Sequence, residues 1–122
     1  MLFRSKWHKQ IYFIDHGAAL YFHHNWQNVE EMASSSFAAI RNHVLLPSAT
    51  ELEAADSEAQ KQLNEAVFTR ILEAVPDAWL LPEPGSSTPA AKRAAYIDYF
   101  TRRLHASANF VQEAIRVRAE LV

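Results

Sequence analysis

The chain has 122 residues, a formal net charge of −2, no cysteine and a hydrophobic fraction of 49%. This composition excludes disulfides, thiolate zinc sites and a cysteine nucleophile, and it is typical of one folded domain rather than a two-lobed nucleotide enzyme or a disordered chain. The small net charge and the lack of a long apolar run give no reason to expect a nucleic-acid or membrane partner.

The N-terminal part predicts a β-hairpin. Residues 2–7 and 10–15 are rich in aromatic and branched side chains, and a two-residue turn at 8–9 separates them. We therefore expect residues 1–17 to form a hairpin that ends in a sharp turn.

Residues 18–47 carry a mixed pattern. Val29–Ala33 and Phe37–Asn42 predict short helical segments, and Ser34–Ser36 interrupts them. A nucleophile or a phosphorylation target could lie in this serine run. We prefer a polar loop, because no Gly-x-Ser-x-Gly elbow and no matched acid and base surround the serines.

Residues 48–122 predict a helical subdomain. Thr50 and Glu53 have the spacing of a capping box, which predicts a helix over 50–62. Asn64 can cap the next helix, which ends before a proline. The apolar stripe of that next helix comprises Val67, Phe68, Ile71, Leu72 and Val75.

Two more helices are predicted after a turn-rich linker at 82–87. Thr88 precedes Pro89 at the first position of one helix, and the other begins near Ser107. Their apolar positions are Tyr96, Phe100 and Leu104 in the first and Phe110, Ala114, Val117 and Leu121 in the second. We expect an antiparallel pair. The elements together predict a single domain over 1–122 that is mainly α with a short N-terminal β-hairpin.

Charged residues cluster in two parts of the chain, and both clusters are typical of solvated helix faces. The acidic cluster comprises Glu51, Glu53, Asp56 and Glu58. The basic cluster comprises Lys92, Arg93, Arg102, Arg103, Arg116 and Arg118.

An acidic residue at the end of the second predicted strand and a glycine soon after it make the first candidate site. A buried strand that ends in Asp15 would hold its carboxylate in a fixed place, and Gly17 lets the backbone turn sharply. A carboxylate oxygen in that position suits Mg²⁺, with phosphates as the other ligands. By spacing alone, an ordinary turn from strand to loop is the preferred interpretation.

Nearby histidines offer a different metal chemistry. Asp15 with His16, His23 and His24 could form a transition-metal site for hydrolysis. The adjacent His23 and His24 point in different directions on a strand or a helix, so they do not readily share one ion. We expect these histidines to be structural, with His16 as the candidate for supporting Asp15 from the second shell.

A longer match adds to this interpretation. The segment Ile14-Asp15-His16-Gly17-Ala18-Ala19-Leu20-Tyr21-Phe22-His23-His24, then Trp26 and His43-Val44-Leu45-Leu46-Pro47, resembles the C-terminal part of the HipA-like kinase family. The resemblance covers most of the chain. It implies part of the helical C-terminal lobe of a protein-kinase-like fold, with Asp15 as the metal-binding residue that bridges nucleotide phosphates and Gly17 beside it in the cofactor-binding turn.

The departure from the family is as informative as the match. Family members carry a nucleotide-covering loop, a phosphate-contacting Lys, a catalytic-loop Asp and a metal-binding Asn before the Asp-His-Gly segment, and none of these can be placed in this sequence. Met1-Leu2 resembles the residues directly after that Asn. The resemblance therefore implies no complete catalytic set and no kinase activity for the isolated chain. Mg²⁺ and ATP are expected only when the missing lobe is supplied.

The rival interpretation is a non-catalytic helical module that binds a protein partner, such as a separately encoded N-terminal lobe. Without that lobe, the apolar faces of the hairpin would remain uncovered, so we also expect a homo-oligomer that forms through the hairpin. The lack of cysteine and of a signal-peptide core favours a cytoplasmic protein.

Overall fold

The computed structural model describes the strand backbones at 3–7 and 10–14, and residues 28–80 and 88–122 in full. The chain divides into two compact units, Met1–Met32 and Ala33–Val122, and each is described by itself. The prediction of one domain stays a prediction.

Two strands belong to the first unit. Strand β1 spans Phe3–Trp7 and strand β2 spans Gln10–Ile14, and they pair antiparallel with Phe3 opposite Ile14. The turn at 8–9 and residues 15–27 lie outside the described residues. The complete N-terminal hairpin, with its metal-binding turn, therefore stays a prediction.

The rest of the described chain is helical, which confirms the mainly α prediction there. The α-helices are α1 (Val29–Ser34), α2 (Leu52–Gln62), α3 (Glu65–Glu73), α4 (Pro89–His105) and α5 (Ser107–Ala119). Short 3₁₀ helices span Ala38–Asn42, Leu46–Ser48 and Asp77–Leu80. The likeness to part of a kinase lobe remains a proposal.

Local capping signals explain where two of the helices begin. The Asn64 side chain accepts a hydrogen bond from the Val67 N–H at 3.1 Å, and the Thr88 hydroxyl accepts one from the Ala91 N–H at 3.2 Å. Both side chains satisfy an N–H group that has no partner within its helix. These two predicted caps are confirmed.

The capping box predicted at Thr50 and Glu53 is wrong. Helix α2 begins at Leu52, its N-cap is Glu51, and no side chain caps it. The Thr50 N–H instead donates to the Ser48 carbonyl at 3.2 Å, because the 3₁₀ helix that ends at Ser48 lies only two residues before it.

Helix α5 packs on α2 and on the 3₁₀ helix at Ala38–Asn42. The centre of this packing is a cluster of buried apolar side chains, to which the 3₁₀ helix Leu46–Ser48 also contributes. It comprises Leu46, Ala114 and Val117, with Ile40 and Leu52 partly buried against them. Removing such side chains from water is the main force that holds the helices together.

Helix α4 packs chiefly on α3 rather than on α5. Phe68 and Leu72 of α3 and Tyr99 of α4 are buried, and the Phe68 and Phe100 ring centroids lie 5.4 Å apart. Helices α4 and α5 also contact each other, so their antiparallel pairing stays a prediction, but each of them makes more extensive contact with another neighbour.

Some members of the predicted apolar stripes are not buried. Ile71 is 52% exposed and Leu121 is 46% exposed, whereas Tyr99, which the sequence pattern does not single out, is only 7% exposed.

Across the fully described ranges 28–80 and 88–122, no helix has the combination of length and apolar character needed to cross a membrane.

Candidate functional site

The site predicted from the sequence lies outside the described residues. This holds for Asp15, His16 and Gly17, and for the alternative ligands His23 and His24. Within the described ranges, no three or more histidine, aspartate or glutamate side chains come together to hold a metal ion. The magnesium site at Asp15 therefore stays a prediction.

The described part of the second unit contains a different candidate, a cavity of about 460 Å³. Side chains from α2, α3, α4 and α5 line it, together with Phe37 and Ile40. It lies between the two packing groups described above, α3 with α4 and α5 with α2. Its walls are almost wholly apolar.

Small side chains leave the room for this cavity. Ala55 and Ala59 follow Leu52 on one face of α2, at spacings of three and four residues, and Ala114 lies opposite on α5. The Phe68 ring supplies aromatic surface to the same cavity. The cavity is open to solvent, so its apolar walls are exposed surface that an apolar ligand would cover.

Arg103 is the cationic side chain in the described lining of the cavity. Its Nη1 donates to the Ala33 carbonyl at 3.0 Å and to the Ser35 carbonyl, and its guanidinium carbon lies 4.0 Å from the Phe110 ring centroid. Burial lowers the pKa of Arg103, because desolvation penalises the charged form. Three contacts thus hold the guanidinium in one place.

The Nε and Nη2 groups of Arg103 are available. Within residues 28–80 and 88–122, neither nitrogen donates to an acceptor and no carboxylate lies within ion-pair distance of Arg103. Arginine carries five N–H donors, and the Nε–Nη2 edge matches the two oxygens of a carboxylate. Arg103 therefore adds a fixed cation to the lining of the cavity, and the described residues leave its Nε–Nη2 edge unused.

A polar contact closes the corner between α4 and α5 near the cavity. Gln60 Nε2 donates to the Leu104 carbonyl at 2.7 Å and to Ser107 Oγ at 2.8 Å, and Ser107 is only 4% exposed. Asn109 Nδ2 donates to the Ser34 carbonyl at 2.7 Å. The serine segment, Ser34–Ser36, thus contacts α4 through the Ser35 carbonyl and α5 through the Ser34 carbonyl.

The basic cluster predicted as a solvated face divides into two groups. Arg116 fits the prediction, since it is exposed and pairs with Glu113 at 2.8 Å, and this hydrogen bond lowers the pKa of the Glu113 carboxyl. Arg93 and Arg103 do not fit, because their side chains are partly buried on backbone carbonyls. A signal for Arg103 existed: it follows Phe100 by three residues, which places it beside the apolar face of α4.

Comparison of the chain with protein-family models, with curated proteins and with solved structures gave no match.

Proposed function

We propose that this chain is the helical C-terminal lobe portion of a HipA-like ATP-dependent protein kinase. The observation that carries the proposal is the run from Ile14 to His24, with its Asp15-His16-Gly17 segment, followed by His43–Pro47. The helical architecture of the described residues beyond position 28 is compatible with such a lobe.

In this proposal Asp15 is the magnesium ligand, Gly17 forms the turn beside it and His16 supports the carboxylate. Phosphoryl transfer depends almost entirely on positioning and on neutralising charge around the phosphates. The nucleotide loop, the Lys and the catalytic loop of the family have no match in these 122 residues. In this proposal the isolated 122 residues do not transfer phosphate, and they bind Mg²⁺ and ATP only when the other lobe is supplied.

A mixing experiment tests this proposal. The purified chain is combined with a separately produced N-terminal lobe of a HipA-like kinase and titrated with Mg²⁺ and a non-hydrolysable ATP analogue. We expect the mixture to bind nucleotide when neither component does so alone, with Asp15→Asn abolishing the gain and Asp56→Asn leaving it unchanged. A mixture that binds no more nucleotide than the added lobe alone would contradict the proposal.

The second candidate function is a non-catalytic helical module that binds a protein partner in the cytoplasm. Two apolar side chains favour it, since Trp79 is 79% exposed and Val44 is 80% exposed. Tryptophan is enriched among the residues that dominate binding energy at protein interfaces. In this case Asp15→Asn has no effect on partner binding, whereas Trp79→Ala weakens it.

Either function is compatible with a homo-oligomer that forms through the N-terminal hairpin. Light scattering across a hundredfold range of protein concentration tests this. The proposal requires a mass above that of the 13.9 kDa chain, and a monomer at every concentration would refute it.

A further inference from the structure

The cavity of the second unit has the size and lining of a small-molecule site. Ligand pockets measure about 300–1,000 Å³ and combine mostly apolar walls with a few fixed polar groups. This cavity has a volume of about 460 Å³, and its walls come from four helices rather than from one flat face. An alkyl chain that enters it leaves water for an apolar surface, which favours binding.

The ionisable side chains in the described lining specify the head group of the ligand. They are Arg103 on α4 and Asp56 on α2, and no ion pair joins them. Arg103 is fixed by two backbone carbonyls and by the Phe110 ring, so little conformational entropy is lost when its Nε–Nη2 edge binds an anion. A charge that is partly removed from water is stabilised by a counter-ion, and among the described residues no carboxylate forms an ion pair with Arg103.

We propose that this cavity binds a long-chain carboxylate, with the alkyl chain between α2, α4 and α5 and the carboxylate on the Nε–Nη2 edge of Arg103. The ligand class is that of a fatty acid. The site is separate from Asp15, and the proposal does not depend on the kinase-lobe function.

The experiment uses the full chain and two probes of equal chain length, dodecanoate and dodecyltrimethylammonium, titrated below their micelle concentrations in a calorimeter. We expect saturable binding of one dodecanoate per chain and at least about tenfold weaker binding of the cation, because the trimethylammonium group accepts no hydrogen bond and is repelled by the Arg103 charge. Equal binding of both probes, or no saturable binding of dodecanoate, would overturn the proposal.

Four variants locate the ligand within the cavity. Arg103→Gln should weaken dodecanoate binding at least about tenfold, whereas Arg102→Gln on the exposed side of α4 should change it less than about twofold. Ala59→Trp fills the cavity and should abolish binding. Asp56→Asn should leave dodecanoate binding unchanged or strengthen it. A loss of binding in that variant would contradict the placement of the carboxylate on Arg103.

Circular dichroism melting of each variant serves as the folding control. If Arg103→Gln does not fold, Arg103→Lys replaces it as the test. Lysine keeps the charge without the planar fork, and we expect dodecanoate binding to weaken in this variant also. Unchanged dodecanoate affinity in a folded Arg103 variant, or in folded Ala59→Trp, would overturn the assignment.

Discussion

The Arg103 guanidinium lies over the ring of Phe110, with its central carbon 4.0 Å from the ring centroid. The two residues belong to different helices, α4 and α5, and Arg103 also binds the carbonyls of Ala33 and Ser35. A cation over an aromatic face contributes about 0.5–2 kcal/mol, depending on how far it is desolvated. This one side chain therefore joins α4, α5 and residues 33–35, and it also supplies the positive charge in the described lining of the cavity.

The buried face of α3 gives a matched pair for a stability test. Leu72→Ala should lower the free energy of unfolding by about 2–5 kcal/mol, because it leaves a cavity in the packing of α3 on α4. Ile71→Ala, one residue earlier and 52% exposed, should cost less than about 1 kcal/mol. Urea unfolding followed by circular dichroism measures both. Equal losses would contradict the burial described for the two side chains.

Helix capping provides a second comparison. Asn64→Ala removes the side chain that accepts from the Val67 N–H, and it should cost about 1 kcal/mol. Thr50→Ala should change stability by less than about 0.5 kcal/mol, since no side chain caps α2. A substantial loss from Thr50→Ala in thermal or urea unfolding would restore the capping box that the structure contradicts.

Arg93 should contribute more to stability than an ordinary surface arginine. It donates to the Leu72 carbonyl at 3.0 Å, to the Val75 carbonyl and to Asp77, so Arg93→Met leaves carbonyls at the end of α3 without these donors. We expect a loss of about 1–3 kcal/mol. Arg70→Met, exposed on α3, should fall within about 0.5 kcal/mol of the parent chain. If Arg93→Met lowers the free energy of unfolding as little as the control does, the hydrogen bonds described for Arg93 would be contradicted.

The Glu113 carboxyl should titrate below its ordinary range. Its hydrogen bond to Arg116 stabilises the ionised form and lowers its pKa. Folding stability from this pair is therefore present above the unfolded-state pKa and is lost as the pH falls through the depressed folded-state value. Arg116→Gln should return the Glu113 pKa toward normal, whereas Arg102→Gln should not, as measured by NMR titration of the carboxyl carbon. An unchanged Glu113 pKa in Arg116→Gln would contradict the pairing.

Local signals predicted local structure well in this chain. Asn64 and Thr88 act within three residues of themselves, and so their caps can be read from the sequence alone. Thr50 has the same type of signal, but its N–H donates to the carbonyl of Ser48, the last residue of the preceding 3₁₀ helix. A capping pattern contains no information about that competing hydrogen bond.

Tertiary relationships were harder to predict. The sequence gives α4 and α5 each an apolar face, yet periodicity does not say which face meets which, and α4 packs chiefly on α3. The cavity depends on Ala55, Ala59 and Ala114 facing one another across helices, a coincidence with no local signature. The role predicted for Asp15 stays a prediction, because this residue and its surroundings lie outside the described residues.

Manganese binding tests the proposed role of Asp15 most directly. The chain is mixed with an N-terminal lobe of a HipA-like kinase and a non-hydrolysable ATP analogue, and electron paramagnetic resonance measures the Mn²⁺ that remains free. The account predicts nucleotide-dependent Mn²⁺ binding that Asp15→Asn weakens at least about tenfold, the equivalent of about 1.4 kcal/mol, while Asp56→Asn leaves it unchanged. Equal Mn²⁺ binding with the parent chain and with Asp15→Asn would contradict the account.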